Sequence, residues 1–315
     1  MTGGPYLSED VIMQKHLLAL RDFEHSQLTT LVNRALVLKK EAARGVRHQS
    51  LAGRTISMLF DKPSTRTRVS FEAAMYGLGG QVIHMTSKDC QLTRGEPLKD
   101  MARVLARYVQ AIVVRTFGQH VVEELARYSE VPVINALTDL YHPCQVLSDV
   151  MTVIEKKGGT DGLKIVWLGD GNNMANSWIE AAAIFGFPLT LACPKGYTPD
   201  NQVLQAAWQR SKAPILLMED PFAAMRDADV ISVDVWASMG QENEQEKRRQ
   251  IFQSYQLNSD LLAYARKDAI VLHCLPAHRG EEITEEVLEG HQSVAFDQAE
   301  NKMHIHKAIL EHFIH

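Results

Sequence analysis

The sequence lacks the features that mark disulfide-rich, membrane-spanning and nucleic-acid-binding proteins. Its four cysteines are widely spaced and include no C-x-x-C pair, so neither a disulfide framework nor a zinc site is expected. No apolar run is long enough to span a bilayer, and residues 1–6 do not begin a secretory signal. The net charge of −5 gives no electrostatic support for binding nucleic acid. We therefore expect a cytoplasmic protein whose partners are neither membranes nor nucleic acids.

The length and the order of apolar segments predict the fold class. A chain of 315 residues suggests two domains, and an apolar fraction of 45% is ordinary for a globular protein. Short β-branched segments alternate with helix-length segments, which predicts an α/β fold of two doubly wound parallel sheets with helices on both faces. We expect one domain over residues 1–147 and a second over 148–315. A C-terminal helix from about 298 to 315 is expected to pack back on the first domain.

The most distinctive stretch is a polar loop between a strand and a helix. The apolar segment Thr55–Phe60 is typical of a buried strand, and the loop after it contains Ser64, Thr65, Arg66 and Thr67. The first amides of a helix have no partner inside it and carry partial positive charge, so this loop suits a phosphate group. In a second interpretation Ser64 is only an N-cap and the arginines are solvated. Spacing alone does not separate the two.

Other predicted strands also end in polar residues. Arg115 follows a short apolar strand, and the next strand leads to His142-Pro143-Cys144-Gln145, where Pro143 suits the first turn of a helix. In the second half, Asp234 and Cys274 follow two more strands. Ligands of open α/β sheets bind at the carboxyl ends of the strands. Each residue alone has a structural explanation, such as a surface ion pair or a buried thiol, so the case rests on their recurrence.

The start of the second half invites a dinucleotide interpretation that the sequence does not complete. Gly169 and Gly171 lie between a strand and a helix, but Met174 stands where a third glycine is expected. The following strand also ends without the acidic residue that binds a ribose. We therefore expect no nicotinamide or flavin there, and we expect the glycines to let the backbone approach a smaller ligand.

Three further segments complete the predictions from the residues themselves. The polar segment Ser87–Glu96 is too long for a simple turn, so we expect a functional loop. The densely charged segment 241–250 is expected to be exposed. Helical spacing does not bring the C-terminal histidines together, so we expect them to be solvated and to bind no metal: His304, His306, His312 and His315.

Taken together, the motifs resemble the aspartate/ornithine carbamoyltransferase family over nearly the whole chain. The Ser-Thr-Arg-Thr loop, Arg115 and the His142–Gln145 motif are similar to the carbamoyl phosphate half of that family. The second half is similar to the members that use ornithine, through Asp234 with Ser238-Met239-Gly240 and through His273-Cys274-Leu275-Pro276. The members that use aspartate lack the Ser-Met-Gly loop and the cysteine.

The resemblance implies an activity and a set of site residues. The activity is transfer of the carbamoyl group of carbamoyl phosphate to the side-chain amine of L-ornithine, giving L-citrulline and phosphate in arginine metabolism. A homotrimer without metal or organic cofactor is implied, with Gln91 reaching the carbamoyl phosphate of a neighbouring subunit. The implied catalytic residues are Arg115, His142, Asp234 and Cys274, and those for ornithine are Asn173, Asp234, Ser238 and Met239. Those for carbamoyl phosphate are Ser64, Thr65, Arg66, Thr67, Gln91, Arg115, His142, Pro143, Cys144, Gln145, Cys274, Leu275 and Lys302.

One position departs from the family pattern. The family places an arginine after Ala-Glu-Asn, whereas Ala299-Glu300-Asn301 is followed here by Lys302. The positive charge is kept, but the bidentate donor fork is lost, so either Lys302 or Arg279 is a candidate for that contact. The family also has a cis Leu-Pro bond at the position of Leu275-Pro276. A relative that uses N-acetylornithine or putrescine and a non-catalytic anion-binding relative remain as rival hypotheses.

Overall fold

The computed structural model describes residues 15–86, 95–237 and 244–314. Contacts between Cα atoms divide the chain into two compact units, Met1–Cys144 with Met303–His315 and Gln145–Lys302. The predicted domain boundary after residue 147 stays a prediction, and the contact division falls three residues earlier. None of the described helices is both long and apolar enough to cross a membrane.

The first unit contains a four-stranded parallel sheet. Its strands are β1 (Thr55–Phe60), β2 (Gln81–Met85), β3 (Ala111–Arg115) and β4 (Val133–Leu137), and its helices are α1 (His25–Ala43), α2 (Thr65–Gly77), α3 (Leu98–Leu105), α4 (Gln119–Tyr128) and the start of α5 (Pro143–Lys157). The strand order is β2-β1-β3-β4. Because the chain winds outward from β1 in one direction and from β3 in the other, the order reverses between these two strands. That reversal is where open sheets leave a crevice for ligands.

The local sequence explains why β1 lies at the centre of this sheet. From Ile56 to Phe60 every residue of the strand is buried, as expected for a strand with both faces covered. The edge strand β2 instead has exposed and partly exposed residues. At the end of β1, Phe60 pairs with Arg115 of β3. The residues that follow the two strands therefore emerge side by side.

The second unit contains a five-stranded parallel sheet. Its strands are β5 (Ile165–Leu168), β6 (Leu189–Ala192), β7 (Ile215–Met218), β8 (Val230–Val233) and β9 (Ile270–His273). Its helices after α5 are α6 (Asn173–Phe185), α7 (Asn201–Arg210), α8 (Pro221–Met225), α9 (Gln245–Phe252), α10 (Ser259–Leu262), α11 (Glu285–Leu288) and the start of α12 (Ala295–Phe313). The order β7-β6-β5-β8-β9 reverses between β5 and β8. The predicted α/β fold class is confirmed.

The C-terminal helix begins earlier and is more buried than predicted. It begins at Ala295, and its residues from Met303 onward belong to the first compact unit. There His306 stacks on Phe71 with ring centroids 3.6 Å apart, and Glu311 pairs with Arg34 at 2.7 Å. The expectation that these histidines are solvated is wrong for His304 and His306, which are buried, although His312 is exposed. His315 lies outside the described residues. The helix buries polar residues because most of its circumference is covered.

Candidate active site

The N-terminus of α2 supports both interpretations of the polar loop. Ser64 caps the helix, and its Oγ accepts a hydrogen bond from the Thr67 amide at 3.2 Å. Thr65 is exposed, Thr67 is buried and Arg66 is half-buried. Within the described residues Arg66 forms no ion pair. Ser64 therefore caps the helix, and the Arg66 guanidinium at the positive end of the same helix can bind an anion.

Arg115 lies beside this helix N-terminus because β3 is the neighbour of β1. The Asp61 amide donates to the Arg115 carbonyl oxygen at 2.8 Å, and Thr116 Oγ1 donates to the Asp61 carboxylate at 2.7 Å. These bonds tie the ends of the two strands together, and the Arg115 side chain is buried. A cavity of about 430 Å³ opens beside the ends of β1 and β2, and neither Arg66 nor Arg115 is among its lining residues. The lining consists of Phe60, Asp61, Pro63, Ser64, Thr65, Arg68, His84 and Thr86.

Lys62 fixes the loop, and sequence reasoning did not single it out. Its side chain is buried, forms an ion pair with Asp139 and lies 4.5 Å from the centre of the Phe117 ring. The pair joins the segment between β1 and α2 to the segment after β4. A lysine two residues after the buried strand and directly before Pro63 is the signal that was available in the sequence.

The segment after β4 holds the predicted His142-Pro143-Cys144-Gln145 motif. Pro143 is the first residue of α5, as its missing N–H predicts. His142 is buried, and the Cys144 thiol donates to the Asn135 carbonyl oxygen at 3.4 Å. The thiol thus fixes the helix start to β4. Gln145 is also buried, and its amide contacts Asp149 and Lys302.

In the second unit the structure brings Asp234 and Cys274 together. Their strands are neighbours, and the Cys274 thiol donates to Asp234 Oδ1 at 3.1 Å. Burial, reinforced by the Asp234 carboxylate, raises the pKa of the Cys274 thiol well above its usual value. The thiol is therefore a neutral donor at physiological pH. The Leu275-Pro276 bond that follows is cis, as the resemblance implies.

Asn172 is a further residue at this site, although the sequence analysis named its neighbour Asn173. Its Oδ1 caps α6 by accepting from the amides of Met174 and Ala175, and its Nδ2 donates to Asp234 Oδ2 at 2.9 Å. Asn173 is the first residue of α6. An asparagine directly before a helix is a sequence signal for an N-cap. The contact with Asp234 joins residues 62 positions apart, and no local pattern predicts it.

Gly171 has a structural role rather than the predicted approach to a ligand. A Cβ atom at Gly171 would lie 2.1 Å from backbone atoms of Thr198 and Pro199. The Gly171 amide donates to the Tyr197 carbonyl oxygen at 2.8 Å. The glycine is therefore required because another part of the chain passes close to it.

The two candidates for the missing arginine lie in different surroundings. Lys302 is buried, and its Nζ donates to Gln145 Oε1 at 2.8 Å. Arg279 is exposed and pairs with Glu285 and, at 2.6 Å, with Glu289. Only Lys302 of the two lies among the buried polar residues of the described part of the unit. Gln91, Ser238 and Met239 lie outside the described residues.

One group of potential metal ligands lies close together among the described residues. It consists of His278, Glu281 and Glu282, with ligand atoms within 4.8 Å of one another. Glu282 Oε1 already accepts from His273 at 2.9 Å and from the His278 amide at 2.7 Å, and Glu281 pairs with Arg249. These internal bonds explain the cluster as part of the loop after β9.

Comparison with protein families identifies the class to which these residues belong. The carbamoyl-P binding domain of aspartate/ornithine carbamoyltransferase matches residues 15–155. The Asp/Orn binding domain of the same family matches residues 161–313. The chain therefore belongs to the aspartate/ornithine carbamoyltransferase family.

Individual relatives narrow the likeness to one branch of that family. The chain is 66% identical to the ornithine carbamoyltransferase of Desulfotalea psychrophila, over 96% of this chain and 100% of that protein. It is 56% identical to the ornithine carbamoyltransferase of Geobacter sulfurreducens, over 95% and 98%.

Solved structures give the same result. The ornithine carbamoyltransferase of Pyrococcus furiosus superimposes with a TM-score of 0.91 at 49% identity, covering 94% of this chain and 95% of that one. The anabolic ornithine carbamoyltransferase of Campylobacter jejuni gives a TM-score of 0.88 at 43% identity, covering 94% and 97%.

Proposed function

We propose that this protein is an ornithine carbamoyltransferase, which transfers the carbamoyl group of carbamoyl phosphate to the side-chain amine of L-ornithine. The products are L-citrulline and phosphate. The observation that carries the proposal is the contact between Asp234 and Cys274 at neighbouring strand ends, within the segment that matches the Asp/Orn binding domain. Both of the relatives compared above are named ornithine carbamoyltransferase, which supports ornithine as the amine.

Carbamoyl phosphate is assigned to the N-terminus of α2 and the end of β3. The partial positive charge of the helix N-terminus and the Arg66 guanidinium favour a phosphate group there. Thr67 and the buried Arg115 and His142 are assigned to the carbonyl oxygen of the substrate, which gains negative charge in the tetrahedral intermediate. Removing one such donor costs about 2.7–4 kcal/mol of transition-state stabilisation in other enzymes.

Ornithine is assigned to the residues around Asp234. A side-chain amine of this kind has a pKa of about 10.4, so placing it in the neutral, nucleophilic form at pH 7 costs roughly 4–5 kcal/mol. Asp234 Oδ1 and Oδ2 are fixed by Cys274 and Asn172, so the carboxylate presents a constant geometry to the amine. We assign to Asp234 and Cys274 the task of orienting the amine as it loses its proton. Asn173, Ser238 and Met239 are assigned to the α-amino and carboxylate groups.

The decisive test compares four amines with carbamoyl phosphate under one set of conditions. Ornithine should be carbamoylated with a higher kcat/KM than N-acetylornithine, putrescine or aspartate. A higher kcat/KM for one of the other three would assign the protein to a sibling enzyme. Absence of transfer to all four amines would favour a non-catalytic, anion-binding relative.

Inhibition and a single substitution test the assignment of Asp234. Norvaline has the ornithine backbone without the side-chain amine and should compete with ornithine, whereas succinate should not. Asp234→Asn is nearly isosteric and should keep the fold, but it should lose most transfer because a neutral amide does not attract the amine. Inhibition by succinate alone, or full activity of Asp234→Asn, would contradict the assignment.

The assembly belongs to the proposal as well, and it has its own test. If Gln91 completes the site of a neighbouring subunit in a homotrimer, Gln91→Ala and Cys274→Ala chains should complement each other. Trimers reassembled from a mixture contain some sites with neither defect, so part of the activity should return. An inert mixture with proven mixed trimers would refute the shared site.

The proposal also covers the cellular role and the location of the protein. The anabolic Campylobacter relative supports a role in arginine biosynthesis. A deletion strain should then require arginine or citrulline for growth. Location in the cytoplasm stays a prediction, and cell fractionation tests it.

A further inference from the structure

A buried carboxylate that the proposed mechanism does not use lies among the proposed site residues. Asp149, on α5, has no solvent exposure. Its Oδ1 accepts one hydrogen bond from Gln145 Nε2 at 2.8 Å and another from Gln298 Nε2 at 2.6 Å. Its Oδ2 is also buried and accepts no hydrogen bond from a residue in the described ranges.

The hydrogen-bonding partners of Gln145 and Gln298 determine which way each side-chain amide points. The Lys302 ammonium and the His273 backbone amide can only donate, so each glutamine must turn its carbonyl oxygen toward them. Gln145 Oε1 accepts from Lys302 Nζ at 2.8 Å, and Gln298 Oε1 accepts from the His273 amide at 2.8 Å. The NH₂ group of each glutamine then points toward Asp149 Oδ1. Asp149 Oδ1 therefore accepts a hydrogen bond from each of the two glutamine side chains.

The two amides lead to different parts of the proposed machinery. Gln145 and Lys302 are assigned to carbamoyl phosphate. Gln298 holds the end of β9 through His273, the residue directly before Cys274. All of these residues belong to one compact unit, Gln145–Lys302. Through Gln145 and Gln298, Asp149 Oδ1 is thus connected both to Lys302 and to the end of β9.

We propose that Asp149 is a positioning residue, whose Oδ1 orients Gln145 and Gln298 and thereby holds Lys302 and the strand end before Cys274 in place. The proposal rests on the proposed function, because the residues that Asp149 orients are those assigned to the two substrates. The role belongs to the acceptor oxygen rather than to the negative charge, since the orientation argument requires only an acceptor.

The electrostatics of the cluster are consistent with this role. Burial raises the pKa of Asp149 to about 7, while its hydrogen bonds from Gln145 and Gln298 and the nearby Lys302 oppose the rise. The Asp234 carboxylate acts in the same direction as burial. A proton on Oδ2 leaves Oδ1 as an acceptor. The orientation of the two amides therefore persists on both sides of pH 7.

Two substitutions of similar size separate the acceptor from the rest of the side chain. Asp149→Asn keeps an acceptor at Oδ1 and removes the charge, whereas Asp149→Leu removes the acceptor. We expect Asp149→Asn to keep kcat/KM for ornithine within about fivefold of the wild type. We expect Asp149→Leu to lose at least a hundredfold, with a lower kcat and a higher KM for carbamoyl phosphate. Gel filtration and near-ultraviolet circular dichroism establish that each variant is folded.

A second pair of variants keeps the proposal testable if Asp149→Leu does not fold. Gln298→Met removes the link to His273, and Gln145→Met removes the link to Lys302. Gln298→Met should mainly lower kcat and raise the KM for ornithine, and Gln145→Met should mainly raise the KM for carbamoyl phosphate. If Asp149→Leu folds, adding it to Gln298→Met should cost less than the sum of the two single effects, because they act through one chain of bonds.

The outcomes distinguish this proposal from the proposed function. Binding of phosphonoacetamide, a stable analogue of carbamoyl phosphate, is measured calorimetrically without any amine. It should weaken at least tenfold in Asp149→Leu and hardly change in Asp149→Asn. That result would support the positioning role even if the wild type failed to carbamoylate ornithine. Equal losses in the Asn and Leu variants, or no loss in either, would overturn the role assigned to the acceptor oxygen.

Discussion

Replacing Arg248 by methionine tests a buried ion pair that joins three segments of the second unit. The Arg248 guanidinium donates from Nη1 to Asp170 Oδ2 at 2.9 Å and to the Trp236 carbonyl oxygen at 2.7 Å. It also lies 4.8 Å from the centre of the Tyr197 ring. The Arg248 and Asp170 side chains are 7% and 9% exposed, so water screens their pair only weakly. Methionine keeps most of the apolar stem and removes the charge.

The expected cost depends on pH because Asp170 loses its counter-charge. Removing one partner of a buried ion pair typically destabilises a protein by about 3–5 kcal/mol. Burial already raises the pKa of Asp170 to about 6, although Arg248 lowers it. Without Arg248 this pKa must rise further, and each additional unit corresponds to about 1.4 kcal/mol.

The sign of the pH dependence follows from linkage. A carboxyl group whose pKa is higher in the folded state than in the unfolded state makes stability fall as the pH rises between those two values. In the wild type that interval for Asp170 ends at about 6, whereas in Arg248→Met it extends to higher pH. The variant should therefore lose about 1–2 kcal/mol at pH 5, where Asp170 can take up a proton, and about 3–5 kcal/mol at pH 8.

Urea unfolding followed by tryptophan fluorescence measures this difference at the two pH values. Asp170→Asn combined with Arg248→Met removes the stranded charge and should recover most of the pH-dependent loss. Arg249→Met is the matched control, because the neighbouring Arg249 pairs with Glu281 at the surface and should cost less than about 1 kcal/mol. Equal losses at pH 5 and pH 8, or a double variant as unstable as Arg248→Met, would refute the reasoning.

Three further predictions concern substrate binding and stability. Arg66→Lys should raise the KM for carbamoyl phosphate or lower kcat, because lysine lacks the bidentate fork; unchanged steady-state constants would remove Arg66 from the site. Lys302→Ala should weaken phosphonoacetamide binding in calorimetry and Arg279→Ala should not; the reverse result would transfer the role to Arg279. The raised pKa of Asp149, about 7, should make wild-type stability fall by about 3 kcal/mol more than that of Asp149→Asn between pH 5 and pH 8. Parallel urea-unfolding profiles would contradict that last prediction.

The fold could be predicted from the sequence because its signals are local. The apolar run Thr55–Phe60 and the proline at the start of α5 each act within a few residues. Burial of polar residues in later helices was not predicted. The charged segment 241–250 was expected to be exposed, yet Arg248 within it is buried against Asp170. His306 is likewise buried against Phe71. Composition indicates the average exposure of a segment and misses the one side chain that turns inward.

The candidate site was predictable only in part, for a related reason. Residues that directly follow parallel strands emerge at one edge, so Asp234 and Cys274 could be singled out from strand ends alone. The residues that hold them in place are not at strand ends or are separated from their partners by long stretches of chain. Asn172 meets Asp234 across 62 positions, and Gln298 meets Asp149 across 149. No spacing rule in a single sequence connects such pairs.

The three buried aspartates among the described residues of the second unit differ in how their charge is balanced, and this difference bears on the choice of substrate. Asp170 is paired with the Arg248 guanidinium. Asp149 accepts hydrogen bonds from two glutamine side-chain amides and lies near the Lys302 ammonium, and both favour its ionised form. Asp234 accepts from the Asn172 amide, the Val235 backbone N–H and the Cys274 thiol, all of which are neutral. Among the described residues, Asp170 is therefore the one of these three that is hydrogen-bonded to a cation. Asp149 has a cation nearby, whereas the hydrogen bonds to Asp234 come only from neutral groups and leave its carboxylate without a hydrogen-bonded counter-charge. A substrate that arrives as an ammonium ion supplies that charge, which an aspartate side chain would not.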